Sequence, residues 1–563
     1  MTKRFTLTSL LTALLVVSCG AGNGLPAAPA PQAATSPHHS AKPDVEAAIQ
    51  AAQTTYVVVA WSELGMHCMD GKDYSIFSIL PPYNNIKAQV FKKGEPPVAV
   101  STGITVTYTA LKDASGSINT ISSTKTNFWT YVNTLFLSNP VPDTGLANYK
   151  VQSKTAQNMT YNSKAADWEA IGIPTVPYDD KLVSNAFPMV TITAKDTKGN
   201  ILSTAKIVMP VSDEISCGNC HASGSDAPAK PAAGWVNNSD PAKDMKLNIL
   251  RKHDDRWNIT PYLATLAKNG YKYQAKLYDT ANAGTPILCA ACHATNALGA
   301  PGIAGINSET ADMHTLHGPQ INPVTGISLD NAADNLTGCY LCHPGVKAQC
   351  ERGAMSPQTC KDCHGNLTTV GASTRQGWLD LPACQMCHQT SQRYTNAFAS
   401  NGIWRTSTDS TFATNNNVPL PGKTLFRYST GHGGAYCAAC HGSQHAEFPS
   451  LNANDNVYPT QKQGYIAKLT ECTICHTNVQ VTQTGGPHGM HNLGQSWVDS
   501  HHDYANDGKY TACAYCHGAD YKGTFLTLSK VSRTFTVGDQ GKKTFSAGHQ
   551  FSCYDCHNGP TGS

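Results

Sequence analysis

Residues 339–388 repeat the pattern C-x-x-C-H three times, as Cys339-Tyr-Leu-Cys342-His343, Cys360-Lys-Asp-Cys363-His364 and Cys384-Gln-Met-Cys387-His388. This pattern is the attachment signature of c-type haem, in which the two thiols bond to the porphyrin and the histidine binds the iron. Three motifs so close together leave little room for an independent apolar core. We therefore expect their haems to pack against one another and the rest of the chain to be organised around them.

The same motif recurs outside this stretch, and nine copies use 18 of the 21 cysteines in the 563-residue chain. The predicted attachment residues are Cys217, Cys220, Cys289, Cys292, Cys339, Cys342, Cys360, Cys363, Cys384, Cys387, Cys437, Cys440, Cys472, Cys475, Cys513, Cys516, Cys553 and Cys556. The predicted proximal iron ligands are His221, His293, His343, His364, His388, His441, His476, His517 and His557. C-x-x-C pairs also occur in structural zinc sites and disulfide frameworks. Neither alternative requires a histidine after every second cysteine, so the repetition favours nine covalently attached haems c.

A low-potential electron carrier needs a second strong axial ligand on each iron, usually histidine, which closes the iron to substrate. Eleven spare histidines are available after the N-terminal 52 residues. The predicted distal candidates are His253, His314, His317, His432, His445, His488, His491, His501, His502 and His549, with His501 and His502 as alternatives to each other. Among the spare histidines, His67 is the weakest candidate for a distal iron ligand because it precedes all the motifs. The stretch 339–388 has no histidine outside its motifs, so its irons must take distal ligands from elsewhere, with His314 and His317 nearest upstream.

Length and composition indicate a loop-rich exported protein of more than one domain. Charged residues make up 14% of the chain, and it contains 46 glycines and 32 prolines. A chain of this length exceeds one ordinary core. The 41 basic and 38 acidic residues form no basic tract, so nucleic-acid binding is not expected. Two propionates on each haem would make the loaded protein net acidic.

The N-terminus predicts a lipoprotein. Lys3 and Arg4 precede the apolar stretch 7–17, which is too short to span a bilayer. Val-Val-Ser-Cys at 16–19 resembles a lipobox, so residues 1–19 are predicted to contain the signal, with Cys19 acylated; the alternative is an ordinary signal peptide. Residues 20–52, rich in Ala and Pro, are a predicted tether. We expect anchoring at the outer membrane, facing the cell surface.

Residues 53–215 carry no motif and are predicted to form an all-β, sandwich-like domain. Val-Thr-Ile-Thr-Ala at 190–194 alternates apolar and polar residues, as a strand with one buried face does. The turn Asp196–Asn200 is predicted to join two strands into a hairpin. The predicted strands are Tyr56–Trp61, Ser75–Leu80, Ile86–Phe91, Ile104–Leu111, Met189–Ala194 and Ala205–Pro210.

Residues 216–563 are predicted to form a loop-rich nonahaem cytochrome c domain with short helices, in which the porphyrins supply the core. Helices are expected at Lys246–His253 and Ile259–Ala267, and a strand pair at Phe525–Leu528 and Arg533–Val537. Outside the motifs and Cys19, only Cys68 and Cys350 remain. In an oxidising compartment this pair favours a disulfide that ties the β domain to the motif-rich region; the alternative is two buried free thiols.

These residues resemble the outer-membrane and extracellular multihaem c-type cytochromes of dissimilatory metal-reducing bacteria. The resemblance rests on the lipobox, the nine motifs and three phrases: Cys360-Lys-Asp-Cys-His-Gly365, Cys437-Ala-Ala-Cys-His-Gly-Ser-Gln-His445 and Leu64-Gly-Met-His-Cys-Met69. It implies bis-His haems that pass electrons at the cell surface to metal oxides, electrodes or partner cytochromes. Some relatives polymerise into haem filaments, whereas a lipid anchor favours a surface monomer or a subunit associated with an outer-membrane porin.

The leading functional prediction is therefore an electron conduit rather than an enzyme. The alternative is a multihaem reductase of a small nitrogen or sulfur oxyanion, which needs one iron with an open distal position. Several such enzymes attach that haem through C-x-x-C-K, but all nine motifs here end in histidine. A third hypothesis makes the β domain an assembly module for a porin or a filament. The sequence leaves the terminal acceptor and the spatial order of the haems open.

Overall fold

The computed structural model describes residues 55–375 except 354, 355 and 357, and then 381, 426–428, 430, 432–469, 471–477, 494–505 and 532–561. Between 506 and 531 it describes 510, 513, 517, 520–523, 527 and 529. All these residues belong to one compact unit, Ala48–Ser563. Within them, no helix is both long and apolar enough to cross a bilayer. The predicted signal peptide, Cys19 and the tether lie outside the described residues.

The N-terminal part of this unit consists mainly of antiparallel strands. Its strands are β1 (Tyr56–Ser62), β2 (His67–Cys68), β3 (Phe77–Ser78), β4 (Tyr83–Lys92), β5 (Val98–Ala99), β6 (Ile104–Leu111), β7 (Gln157–Asn158), β8 (Thr160–Asn162), β9 (Asp167–Pro174), β10 (Met189–Asp196), β11 (Ile201–Val208) and β12 (Val211–Ser212). One sheet has the order β1-β4-β9-β8, with β5 beside β4, and the other has the order β11-β10-β6-β7. The prediction that the N-terminal region is rich in β-strands is confirmed.

The two sheets share one apolar core, built by the alternation expected from the sequence. In β10, Val190, Ile192 and Ala194 are fully buried, and they pack with Ile86 of β4 and Val58 of β1. The threonines between them are half-buried. Successive side chains of a strand point to opposite faces, so this pattern gives each sheet one apolar and one polar face.

The hairpin β10–β11 forms where its turn residues predict it. The Asp196 carboxylate accepts hydrogen bonds from the backbone N–H of Lys198 (2.9 Å) and of Asn200 (2.8 Å). Gly199 has a φ of +87°, which glycine adopts without strain. Strand β11 is an edge of its sheet, and its backbone is satisfied from outside: Lys206 N–H donates to Gln461 Oε1 at 2.8 Å.

Three strand predictions need correction. Of Ser75–Leu80 only β3 pairs, because the Asp70 carboxylate takes the N–H groups of Ile79 and Leu80. The strand predicted at Ala205–Pro210 instead spans Ile201–Val208, as β11. Strand β9 was missed because its sequence contains Asp167, which forms a 2.9 Å ion pair with Lys87 on the neighbouring strand β4. The all-β prediction also missed helix α1 (Phe128–Phe136), which buries Phe128, Val132 and Leu135 along one face.

After β12 the chain changes to short helices and loops. The helices are α2 (Gly218–His221), α3 (Pro241–Arg256), α4 (Leu263–Lys268), α5 (Leu277–Asn282), α6 (Glu309–His317), α7 (Cys360–His364), α8 (Leu367–Val370), α9 (Cys437–His441), α10 (Val457–Gln463), α11 (Gln495–Ser500) and α12 (His502–Ala505). Three further short strands are β13 (Ile287–Leu288), β14 (Arg533–Thr536) and β15 (Lys542–Phe545). Short 3-10 turns, including Thr260–Tyr262, lie between them.

The helix predictions hold with changed bounds. Lys246–His253 lies inside the longer α3, which begins after the N-cap Asp240. Ile259–Ala267 divides into a 3-10 turn followed by α4. The predicted strand at Arg533–Val537 is present as β14, which pairs with β15. Most of its predicted partner, Phe525–Leu528, lies outside the described residues.

The packing is continuous across the predicted boundary at residue 215. One core joins Tyr74, Phe77 and Phe128 of the N-terminal part to Leu247 and Leu277 of helices α3 and α5. Another places the outer face of β1 against the motif helix α9, where Ala438 and Ala439 are buried. The boundary therefore marks a change of secondary structure rather than a break in the packing.

Arg352 joins the two parts by polar contacts. Its side chain is 0% exposed. Nε donates to Asp455 Oδ2 at 2.6 Å and Nη2 to Asp455 Oδ1 at 3.1 Å. Nη1 donates to the Gly65 carbonyl at 2.7 Å, and the guanidinium lies 4.7 Å from the Phe187 ring centre. A buried charge held by this many partners fixes the loop before β2 against the motif-rich region.

Candidate metal centres at the C-x-x-C-H motifs

Each C-x-x-C-H motif whose backbone is fully described forms one helical turn. In the motif at Cys217, for example, the His221 N–H donates to the Cys217 carbonyl at 2.9 Å. Residues three and four apart lie on one face of such a turn. Both thiols and the imidazole therefore project to the same side, where they can hold the edge of a flat group and reach its centre.

Four motif histidines face a second histidine from a distant part of the chain. The ring centres of His221 and His317 are 6.3 Å apart, and those of His343 and His314 are 6.1 Å apart. His364 faces His445 at 6.1 Å. His557 stacks against His501 at 5.7 Å, with their Nε2 atoms 3.5 Å apart.

A fifth motif histidine, His293, lies beside His253 of α3. His293 is the first neighbouring charge among the causes that lower the pKa of His253. The five second histidines belong to the predicted distal set. The structure thus brings five of the predicted distal histidines next to motif histidines, and of the two alternatives it is His501, not His502, that lies beside one.

The separation within the pairs suits one metal ion between two rings. A bond from a metal ion to an imidazole nitrogen is about 2 Å long, so two nitrogens on opposite sides of one ion lie about 4 Å apart and their ring centres about 6 Å apart. The four measured separations lie close to that value. Most of the paired histidines are half-buried, whereas His343 is exposed.

Backbone carbonyls orient several of these rings. Nδ1 of His314 lies 2.8 Å from the Thr310 carbonyl, and Nδ1 of His293 lies 2.9 Å from the Asn307 carbonyl. Nδ1 of His557 lies 2.6 Å from the Gly559 carbonyl. A carbonyl accepts only from a protonated nitrogen, so Nε2 is left as the metal-binding atom, as in most histidine metal sites. No sequence signal marks these carbonyls because they belong to the backbone.

Burial lowers the pKa of several of the paired rings. Desolvation, followed by the charge of the partner histidine, lowers the pKa of His221, His253, His343 and His364 to about 4. For His445 the pKa is also lowered to about 4, first by burial and then by Arg352. Neutral imidazole is the form that binds metal ions, so these sites are prepared for a metal at neutral pH.

Helix α6 serves two motifs at once. His314 and His317 lie one turn apart on it, and they pair with His343 and His221 respectively. The backbone N–H of Glu309, at the start of α6, donates to the Ala294 carbonyl next to a third motif. Three motifs, at Cys217, Cys289 and Cys339, therefore lie around a single nine-residue helix.

Neighbouring motifs also touch one another. The thiols of Cys339 and Cys360 are within hydrogen-bonding distance, and this contact is the main cause that lowers the pKa of Cys339 to about 7. The Leu341 carbonyl accepts from the Ser216 N–H at 3.2 Å, next to the motif at Cys217. The Leu469 N–H, shortly before the motif at Cys472, donates to the carbonyl of Cys440 at 2.8 Å. The motifs therefore form a connected series rather than isolated sites.

Other predicted residues have different surroundings. The side chain of His502 is 65% exposed, and its Nε2 lies 3.1 Å from Asp503. His549 Nε2 lies 2.9 Å from Asp555, and its ring packs against Phe545. His67 is 3% exposed, and burial lowers its pKa to about 4. Unlike the paired rings, His67 lies next to no motif histidine among the described residues, and its buried Nε2 has no hydrogen-bond partner there.

Two more motif histidines have described polar contacts. His476 Nδ1 lies 3.1 Å from the Glu95 carboxylate, and His517 Nδ1 lies 3.1 Å from the Phe551 carbonyl. Several predicted site residues lie outside the described part of the chain: Cys384, Cys387, His388, His488, His491 and Cys516. The side chains of His432 and Cys472 also lie outside it. Among the described residues, no group of three or more potential Cys, His, Asp or Glu ligands converges.

Cys68 and Cys350, the predicted disulfide pair, are present as neighbouring free thiols. Arg352 Nη1 contacts both the Gly65 and the Cys350 carbonyls, which holds the two segments together. Burial, followed by the charge of Cys350, raises the pKa of Cys68.

We predict that the mature exported protein contains this bond. Peptide mapping without reduction should recover the Cys68 and Cys350 peptides as one linked species. The double variant C68S/C350S should lose up to about 5 kcal/mol of unfolding free energy, since the bond closes a long loop. Recovery of both thiols as alkylated peptides from oxidised protein would show that they are free.

Comparisons with protein-family models, with curated proteins and with solved structures found no match to this chain.

Proposed function

We propose that this chain is an electron-transfer protein that carries nine covalently attached haems c, predominantly bis-His ligated. The observation that supports this most directly is the set of four histidine pairs at 5.7–6.3 Å, each joining a C-x-x-C-H histidine to a distant one. A structural zinc site would gather four ligands at one point, whereas each of these sites brings two histidines to a separation that suits one iron.

When bound, the haem supplies one-electron redox chemistry at its iron. The chain supplies the rest. The cysteine pairs would bond to the porphyrin, and the two histidines of each pair would bind its iron and so exclude substrate. The carbonyls on Nδ1 of residues such as His314 and His557 increase the electron donation of the rings, and this stabilises the ferric state and lowers the potential.

The contacts between motifs suggest an electron path that does not follow the sequence. Helix α6 brings the motifs at Cys289, Cys217 and Cys339 together. The thiol contact between Cys339 and Cys360 continues the series. His445 pairs with His364. It also lies four residues after His441, the last residue of the motif at Cys437, so this motif is placed next in the series. The proposed order is thus 289, 217, 339, 360, 437 and then 472.

The proposed location is the outer membrane, through acylation of Cys19, with the haem region facing the cell surface. The proposed partners are other c-type cytochromes and an outer-membrane porin, and the proposed acceptors are metal oxides or electrodes. These assignments follow from the lipobox and from the resemblance described above. The described structure leaves filament assembly and the reductase alternative as competing hypotheses.

Haem counting and ligand binding test the proposal together. The intact mass of the mature protein should exceed that of the polypeptide by nine haems, and the reduced protein should bind no carbon monoxide, because every iron is closed. A count below nine would contradict the inventory. Stoichiometric carbon monoxide binding with nine haems present would instead favour a reductase.

A further inference from the structure

Four basic side chains lie on the segments that precede the motif at Cys289, which stands first in the proposed path. Arg256, Lys268, Lys272 and Lys276 are all exposed, and we refer to them as the basic collar. Arg256 and Lys268 end helices α3 and α4, where the helix dipole favours a positive charge, whereas Lys272 lies in the following loop and Lys276 is the N-cap of α5. The whole chain has only three more basic than acidic residues, so this concentration is local.

Three of the four members of the basic collar are connected to the histidine pair His253–His293 or to its cysteines, and the fourth, Lys268, ends helix α4. Arg256 follows His253 by three residues on α3. Lys276 Nζ donates to the carbonyl of Asp254, the residue after His253, at 2.9 Å. Lys272 lies between Tyr271 and Tyr273, and the Tyr273 hydroxyl accepts from the Leu288 N–H at 2.9 Å, directly before Cys289.

Residues 251–279 contain six basic and three acidic residues, so the acidic residues offset the charge of the basic collar only in part. The Asp254 carboxylate is buried and accepts from the N–H groups of Leu277 and Tyr278 at 2.9 and 2.8 Å. Asp255 accepts from the Ala232 N–H at 2.7 Å. Asp279 is exposed, but it lies near the start of α5, where the helix dipole partly compensates a negative charge.

Trp257 adds an apolar element to this surface. It follows Arg256 directly and is 49% exposed. An exposed aromatic side chain beside arginine is typical of the energetically important part of a protein interface. The collar charges are spread over three chain segments rather than gathered in a cleft, so they suit a broad partner surface better than a small anion.

We propose that the basic collar with Trp257 is the docking surface for an acidic electron-transfer protein that exchanges electrons at the Cys289 motif. This inference rests on the proposed function. Complementary charge would steer the partner so that its redox centre approaches the pair His253–His293, and steering of this kind raises association rates by about 10- to 1,000-fold.

The test measures reduction of the oxidised holoprotein by an acidic flavodoxin in its hydroquinone form, mixed by stopped flow. The anionic hydroquinone gives up one electron and becomes the neutral semiquinone, and one ferric iron of the holoprotein becomes ferrous. The collar variant R256E/K268E/K272E/K276E should lower the second-order rate constant by at least about tenfold at low ionic strength. The difference should disappear near 1 M salt, where the Debye length is about 3 Å.

A matched control variant, K112E/K154E/K164E/K198E, reverses the charge of four exposed lysines in the β-rich part. The control should reduce the rate by less than about threefold, because its charges are remote from the Cys289 motif in the chain. A milder variant, R256Q/K268Q/K272Q/K276Q, should be intermediate between wild type and the collar variant, and it guards against a folding defect. Haem content and visible spectra of all variants should equal those of the wild type.

Three results would overturn the proposal. They are a wild-type rate for the collar variant, an equal loss in the control variant, or binding to anionic phosphatidylglycerol vesicles that the collar variant abolishes. The last result would assign the surface to a membrane instead. A failure of the proposed function would be visible separately, as missing haems before any mixing experiment.

Discussion

Replacing His314 by alanine is expected to open one iron, and only one, to an exogenous ligand. His314 stacks against His343 at 6.1 Å, and its Nδ1 is held by the Thr310 carbonyl at 2.8 Å. Removing the ring leaves the iron held by His343 without a sixth ligand. We expect carbon monoxide binding to rise from none to one equivalent per protein, together with a high-spin signal in electron paramagnetic resonance.

His502→Ala is the matched control, because the side chain of His502 is largely exposed and contacts Asp503 instead of a motif histidine. It should bind no carbon monoxide. The double variant H314A/H317A should bind two equivalents, since the structure assigns His317 to a different motif, that of His221. A low-spin H314A protein that excludes carbon monoxide, or an effect of equal size in H502A, would show that the pairing is wrong.

Replacing Arg352 by methionine is expected to cost about 3–5 kcal/mol of unfolding free energy, because it leaves the buried Asp455 carboxylate without its partner. It also removes the donor of the Gly65 carbonyl. Since these bonds connect the two parts of the chain, the loss should appear in the unfolding of both. Denaturant titration, followed by far-ultraviolet circular dichroism and by the visible haem spectrum, would measure it.

Arg352→Lys retains the charge but cannot form the paired bonds to Asp455, so its loss should lie between wild type and R352M. Arg256→Met is a control of identical chemistry at an exposed site, and it should change the stability by no more than about 0.5 kcal/mol. An R352M protein within about 1 kcal/mol of wild type would mean that the junction does not depend on this buried ion pair.

The strands with the clearest local pattern could be predicted from the sequence. Ile104–Leu111 is reproduced with identical bounds, and β10 starts at the predicted Met189 because its alternation reports burial on one face. Strand β9 could not be predicted, because its buried Asp167 is acceptable only through Lys87 on another strand. Helix α1 is rich in aromatic and β-branched residues and forms because tertiary burial overrides weak helix propensity.

The residues of the candidate site fall into the same two groups, those identified by a local pattern and those that depend on tertiary packing. The attachment cysteines and proximal histidines follow from a local motif, so the sequence identifies them as candidates directly. The distal partners depend on tertiary packing. His314 lies opposite a motif of the 339–388 stretch, as expected, but His317 pairs with His221 instead, because one helical turn separates the two rings and directs them to different motifs. His364 takes His445 from far downstream.

This arrangement changes the role expected for the stretch 339–388. Two of its three motifs lie in the described residues, and each faces a histidine from outside the stretch. Its connection to the earlier motifs passes through helix α6, whose His314 and His317 face two different motif histidines. We therefore regard α6 and the stretch together as the centre of the proposed haem series.

Locating the irons tests the central claim most directly. An anomalous difference map from crystals of the holoprotein, measured at the iron absorption edge, should show one peak between the two rings of each pair: His221–His317, His253–His293, His343–His314, His364–His445 and His557–His501. Each peak should lie about 2 Å from both Nε2 atoms. Peaks bound to only one of these histidines, or pairs with no iron between them, would contradict the account.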